Sequence, residues 1–160
     1  MTDKLKKEQT PLEIRRKVLR LETAINLKKE NLGPDPFPLK HTFVPGIYAR
    51  EISAPAGMLI VTKLHKTEHF VFMLKGDVSI LSEEGVKRVK APCMMVSPVG
   101  AKRAVYTHED TVWINIHANP EDVTDLVKLE SNIIAKDYKE LGLADPIKDV
   151  LELKEALCLG

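Results

Sequence analysis

Cysteine is scarce in this chain, with Cys93 and Cys158 its only two. Two thiols without framework spacing exclude a disulfide-stapled scaffold and read as reduced cysteines of a cytoplasmic protein. Charge of one sign is missing as well: Lys/Arg and Asp/Glu nearly cancel, at a formal net charge of +1, and are interspersed along the chain. Without a one-signed field, neither nucleic acid nor an anionic membrane surface is an expected partner. No run approaches the roughly 18 apolar residues of a membrane span, and the polar opening "MTDKLKKEQT" has no apolar core of a signal peptide. Internal repeats and low-complexity segments are also absent. What is present is ordinary for one globular domain able to bury its own core: 160 residues, 44% hydrophobic and 29% charged.

The first element is a helix over about 11–31, with Thr10 as N-cap, Pro11 at the first helical position and Glu13 as capping-box partner. Ile14, Val18, Leu21 and Ile25 recur at helical spacing. Asn31 to Pro38 then holds three prolines and a glycine and reads as an extended connector. From His41 to Ala118 the texture changes to short runs of Val, Ile and aromatics. They are broken by "PAG", "KGD", "SEEG", "SPVG" and "THED", which suggests an antiparallel sandwich or barrel. Strands are expected at about 46–53, 58–65, 69–75, 78–82, 86–90, 93–97, 101–106 and 111–118. Asn119 with Pro120, and Asp145 with Pro146, then open helices expected at about 120–135 and 146–157. The organisation is therefore an N-terminal helix and connector at 1–40, a β-core at 41–118 and C-terminal helices at 119–160.

Chemistry concentrates in "KLHKTEHFVFMLKGD", Lys63 to Asp77. His65 and His69 stand four apart, but the residues after them favour a strand rather than a helix. With Lys66-Thr67-Glu68 as a hairpin bend, the two histidines sit roughly opposite, their Cβ atoms about 4.5–5.5 Å apart. Two imidazoles so placed can share an ion, or they can cap and hydrogen-bond a surface hairpin. Lys63 has the parity of His65 and either reaches into the interior or extends to the barrel mouth. Arg103 either clamps a carboxylate or phosphate or pairs internally with Glu51 or Glu109. In "TVWINIH", simple patterning puts Val112, Ile114 and Ile116 in the core and His117 outside. In a barrel that holds a ligand the polar face turns inward, which brings His117 to His65 and His69 as a third nitrogen. Tyr48 and Arg50 alternate with Ile47 and Ala49 and can line a cavity, although packing alone also accounts for Tyr48. His41 and His108 read as solvated, and Met58, Met73, Met94 and Met95 as core filler.

The β-core resembles the cupin superfamily over roughly Ile47 to His117. Anchored on Gly76, His69 stands where the family's first motif has Glu, His65 at its second histidine and Lys63 at its first. Anchored on "SPVGAKR", Pro98 and Gly100 match the second motif, and Arg103 replaces its metal-binding histidine. "PGIYAREI", "KLHKTEH", "GVKRVKAP", "GAKRAVY" and "EDTVWINIH" resemble uncharacterised bacteriophage-encoded cupin-like proteins. The resemblance implies a mainly β fold, an antiparallel double-stranded β-helix or jelly-roll barrel, in a homodimer, with His65 and His69 at ligand positions. Two functions follow. One is a metal-dependent enzyme acting on a small anionic metabolite in a host cytoplasm. Its divalent transition metal (Fe, Mn, Ni or Zn) is held by His65, His69 and His117, and Lys63 and Arg103 neutralise the substrate. The other is a non-catalytic, small-anion-binding or structural homo-oligomer.

Overall fold

The computed structural model describes residues 10–32 and 37–143, with side chains described for all of these except 27–32. Among these residues nine strands form two antiparallel sheets. The first contains β1 (Leu39–Val44), β2 (Gly46–Ala54), β9 (Thr111–Asn119), β4 (His69–Lys75) and β7 (Cys93–Ser97), in that spatial order. The second contains β3 (Leu59–Val61), β8 (Ala104–Thr107), β5 (Asp77–Ser82) and β6 (Gly85–Lys90), also in spatial order. From β2 to β5 and from β6 to β9 the chain changes sheet at each step. That winding is the double-stranded, jelly-roll arrangement expected from the sequence. It leaves one interior between the two sheets, lined by the inward residue of each alternating pair.

The helix α1 (Pro11–Leu32) starts as its sequence dictates. Thr10 N–H donates to Glu13 Oε2 at 2.8 Å, and Glu13 N–H to Thr10 Oγ1 at 3.3 Å. Its buried Ile14 and Val18 pack on Ala104, flanked by Val61 and Leu81, so the helix lies against the four-stranded sheet. Burying two such side chains contributes about 1.5–3 kcal/mol each. Ion pairs from Arg15 to Glu83 and from Lys102 to Glu22 fix its position along the sheet.

Several boundaries differ from expectation. β1 occupies residues read as the tail of the proline-rich connector and the approach to the core, and adds an edge strand paired through Leu39↔Ile52 to Val44↔Ile47. The expected strand 58–65 is reduced to Leu59–Val61, because its neighbour is β8 in the other sheet, and 62–68 must then cross between sheets. Asn119 does not cap a helix. It ends β9, and its side-chain amide bonds both backbone groups of Val123. The second helix, α2 (Leu126–Ile133), starts later, with Asp125 as N-cap accepting from Lys128 N–H. The helix expected at 146–157, with Asp145 and Pro146, and Cys158 lie outside the described residues.

Gly76 shows why one residue type is required at the β4–β5 turn. Its φ is +110°, and a Cβ there would lie 2.8 Å from Thr111 Cα. Beyond the turn, Asp77 accepts two hydrogen bonds from Arg88, both 2.9 Å, with Lys90 at 3.4 Å. The Arg88 bond, joined by Lys90, holds the Asp77 carboxyl down to about 2.

Candidate metal centre

Three cross-strand rows, read along the inner face of the five-stranded sheet, build the site. The first joins Ile52, Trp113, Met73 and Cys93; the second joins Arg50, Asn115, Val71 and Met95. The third sets Tyr48 opposite His117 and His69 opposite Ser97. The interior therefore passes from apolar to polar over two rows. On β9 the inward residues are Thr111, Trp113, Asn115, His117 and Asn119, all buried, while Val112, Ile114 and Ile116 are only partly buried. Simple patterning assigned the opposite face, because both faces of this central strand carry bulk and the inner one is the more polar.

His65 reaches the third row by another route. It is not the cross-strand partner of His69 in a hairpin, as expected, but lies in the crossover between sheets. There it bridges to Ile134, and its carbonyl accepts from Gly100 N–H at 3.0 Å. Adjacent bonds from Lys66 N–H to Ile133 O and from Ala135 N–H to Leu64 O clamp the crossover to the end of α2. The "SPVG" turn and the second helix thus aim this imidazole.

The three rings converge. Centroids are 4.3 Å apart for His65–His69 and His69–His117 and 5.2 Å for His65–His117. One nitrogen from each lies within 4.8 Å of the others. Exposures of 6%, 5% and 1% place all three inside the barrel. Burial, reinforced by the neighbouring histidines and by Arg50 and Arg103, holds His65 down to about 3. Burial, then His69 and Arg50, does the same to His117. Burial also lowers His69, against the opposing bond to Thr67 O. All three are neutral at pH 7, the form in which imidazole ligates a metal.

The hydrogen-bond inventory fits a metal. His69 Nδ1 lies 3.2 Å from Thr67 O, so it is the protonated nitrogen and Nε2 carries the lone pair. Among the described residues, His65 Nε2 and both nitrogens of His117 are buried without a hydrogen-bond partner. Orphaned buried nitrogens are costly in a core, and a divalent ion bound by three imidazoles would satisfy one nitrogen of each ring, leaving the second nitrogen of His117 still to be matched. Three neutral imidazoles are a donor set that a divalent metal ion could use.

The other candidates divide. Arg50 and Arg103 both line the large interior cavity and stand close enough to lower the histidines. Arg103 donates to Ser97 Oγ at 2.7 Å and pairs with neither Glu51 nor Glu109. Lys63 is half-exposed at the mouth and ion-paired with Glu130, so Arg50 takes the interior place that parity suggested for it. Tyr48 is buried behind the site: its ring stacks on His117 at 5.9 Å, and its hydroxyl meets His41 Nδ1 at 2.7 Å. His41 is thus engaged rather than solvated, whereas His108 is exposed. Met94 is exposed and is no core filler. Ser97 and Asn115 were missed. Asn115 was detectable as the inward residue between Trp113 and His117.

No family model and no curated protein matches the chain. Similarly folded solved structures include the cupin domain of Cnp3 from Schizosaccharomyces pombe, at 17% identity, covering 62% of this chain and 68% of that one, with a TM-score of 0.46. KdgF from Halomonas sp. shows 13% identity over 54% and 83% of the two chains, TM-score 0.46. Ectoine synthase from P. lautus shows 10% identity over 54% and 66%, TM-score 0.47. These are resemblances of fold between distant chains. The class of protein is defined by the strand winding and the histidine cluster themselves: a mainly β jelly roll with three buried imidazoles in its interior.

Proposed function

We propose that this protein is a metal-dependent enzyme that acts on a small anionic molecule inside the barrel. The observation that carries this reading is the convergence of His65, His69 and His117, neutral and buried, with nitrogens that have no protein partner. When bound, a divalent ion at such a site supplies a Lewis acid and lowers the pKa of a coordinated water. Arg50 and Arg103 supply the fixed positive charge that binds and orients an anion beside the histidines. Ser97 holds the Arg103 guanidinium in place, and Asn115, cross-strand from Arg50, offers an amide beside it. Glu22, Ile25 and Asn26 of α1, together with Lys63, line the edge of the cavity.

A second reading, a non-catalytic anion-binding protein, draws on the same arginines. Two guanidiniums near a bare dication repel it, and an anion between them would be stable without any metal. Metal analysis separates the two. Protein purified without tags or chelators should carry Fe, Mn, Ni or Zn, and His65→Ala combined with His69→Ala should remove it while the circular dichroism spectrum stays β-rich. Background metal in both proteins would leave the anion-binding reading alone.

We also propose a homodimer formed through the outer face of the five-stranded sheet. Phe70, Leu74, Met94 and Val96 are each about half exposed there, next to Phe72 and Ile114. An apolar face this continuous is characteristic of an interface rather than a solvated sheet. Sedimentation should give a dimer for the wild type and a monomer for Phe70→Lys. A cytoplasmic setting agrees with the free thiol of Cys93. No helix among the described residues is long and apolar enough to cross a membrane.

A further inference from the structure

The interior beside the histidines is far larger than a metal and a small polar anion require. The cavity measures about 690 Å³, the size that holds a drug-sized molecule. Most of its wall is hydrocarbon from both sheets: Ile52, Met73, Val78, Ile80, Val105 and Trp113. Its inner polar groups gather in the upper two rows, where Arg50, Asn115, Ser97 and Arg103 adjoin His65 and His69. Neither arginine has an ion-pair partner among the described residues, and Arg50 Nε is buried without a hydrogen bond.

Two ligand classes are thereby disfavoured. A sugar phosphate or other molecule polar on all sides would press hydroxyls against Ile52, Val78 and Ile80, where no group can bond them. An uncharged hydrocarbon would fill the apolar end but leave two partly buried guanidiniums facing the cavity without an ion-pair partner, Arg103 sensing only the field of Glu84. We propose that the ligand is an amphipathic carboxylate, its head between Arg50 and Arg103 and its aliphatic or aromatic body reaching down to Trp113. This rests on the reading that the arginines face an anion beside the histidine cluster, and it narrows that anion to one with an apolar tail. Trp113, Met73, Val78 and Ile80 form the floor that measures the length of the tail.

The chain contains one tryptophan, and because Trp113 lines the cavity its fluorescence reports on occupancy directly. Wild-type protein should be titrated with n-alkanoates from butanoate to dodecanoate, with the matching 1-alkanols and with inorganic phosphate, once after chelation and once with added metal. Affinity for the acids should rise about fourfold per methylene, until the tail fills the cavity. The alkanol of equal length should bind about tenfold or more weakly, for want of the charge-assisted bonds. Phosphate should leave Trp113 emission unchanged. In Arg50→Gln combined with Arg103→Gln, the preference of acid over alcohol should vanish while the dependence on chain length survives. A flat response to chain length, or phosphate binding as tightly as the longest acid, overturns the proposal whatever the metal content. Chain-length dependence that persists in His65→Ala plus His69→Ala, together with background metal in the wild type, would instead overturn the metal reading and leave the amphipathic ligand standing.

Discussion

The two ends of one strand, β9, show what each half of the barrel interior is for. Trp113 sits among Ile52, Met73, Val78, Ile80 and Val105; His117, four residues on and so about 13 Å away along the strand, sits among two more histidines. At the Trp113 end the side chains satisfy one another, and their burial holds the sheets together. At the His117 end, nitrogens of His65 and His117 are buried without partners among the described residues, a cost to stability that the proposed ligand would offset. On the proposed reading the His117 end serves the ligand's charged head, while the Trp113 end serves both the packing of the sheets and the ligand's apolar tail.

The strongest way to break this contrast is Met73→Ala, which removes a fully buried side chain from the apolar end. We expect a loss of about 2 kcal/mol in urea denaturation, the low end for such truncations because the side chain already borders open volume. Metal per folded chain should not change. If metal is lost along with stability, the two ends are one unit.

His117→Leu sharpens the contrast from the other side. Replacing two orphaned nitrogens by hydrocarbon of similar size should raise the stability of metal-free protein by about 1 kcal/mol, while metal binding falls. Destabilisation of the metal-free form would show that His117 is a structural side chain.

The smallest effect belongs to the rim of the apolar end, at Asp77. Its folded pKa, held near 2 by Arg88 and Lys90, lies below its ordinary 3.8. The unfolded chain therefore takes up the proton first as pH falls. The pair's contribution is complete above about pH 4 and is lost as pH drops toward 2. Because both partners are largely exposed, screening keeps it small. Asp77→Asn should flatten the stability profile across that window in denaturation measured from pH 5 to pH 2: slightly less stable than wild type above about pH 4, and equal to it near pH 2. An unaltered slope would assign the acid sensitivity to other carboxylates.

Much of the fold and part of the site were legible because they rest on local chemistry. The Thr10–Glu13 capping box acts within one helical turn, β4 and β9 declared themselves through β-branched and aromatic runs, and β7 was marked by an apolar run before the Pro98–Gly100 turn. Gly76 and the Pro98–Gly100 turn are backbone requirements that a sequence states openly. His65 and His69 were conspicuous as a pair within five residues. β1 was hidden because its ladder partner β2 follows a single intervening residue, Pro45, and its own pattern is only half-buried. The start of α2 was misplaced because Asn119 and Asp125 are equally good caps by type, and only the turn that Asn119 closes with Val123 decides between them.

By itself the sequence determined the capped helix, most of the strands, the reversal at Gly76 and the set of histidines available to a ligand. Which of them meet was decided by the tertiary structure. His65 is aimed by backbone bonds to residues near 100 and 134, a long way off in sequence, and His117 turns inward because the two faces of β9 differ in what they meet rather than in how apolar they are. The exchange of Lys63 for Arg50 has the same cause. Lys63 finds Glu130 on α2 and stays at the mouth, while Arg50, next to Asn115 in the register, has no ion-pair partner among the described residues and is left facing the cavity. Local pattern governs which elements form; the positions of charges inside a barrel depend on partners that only folding brings near.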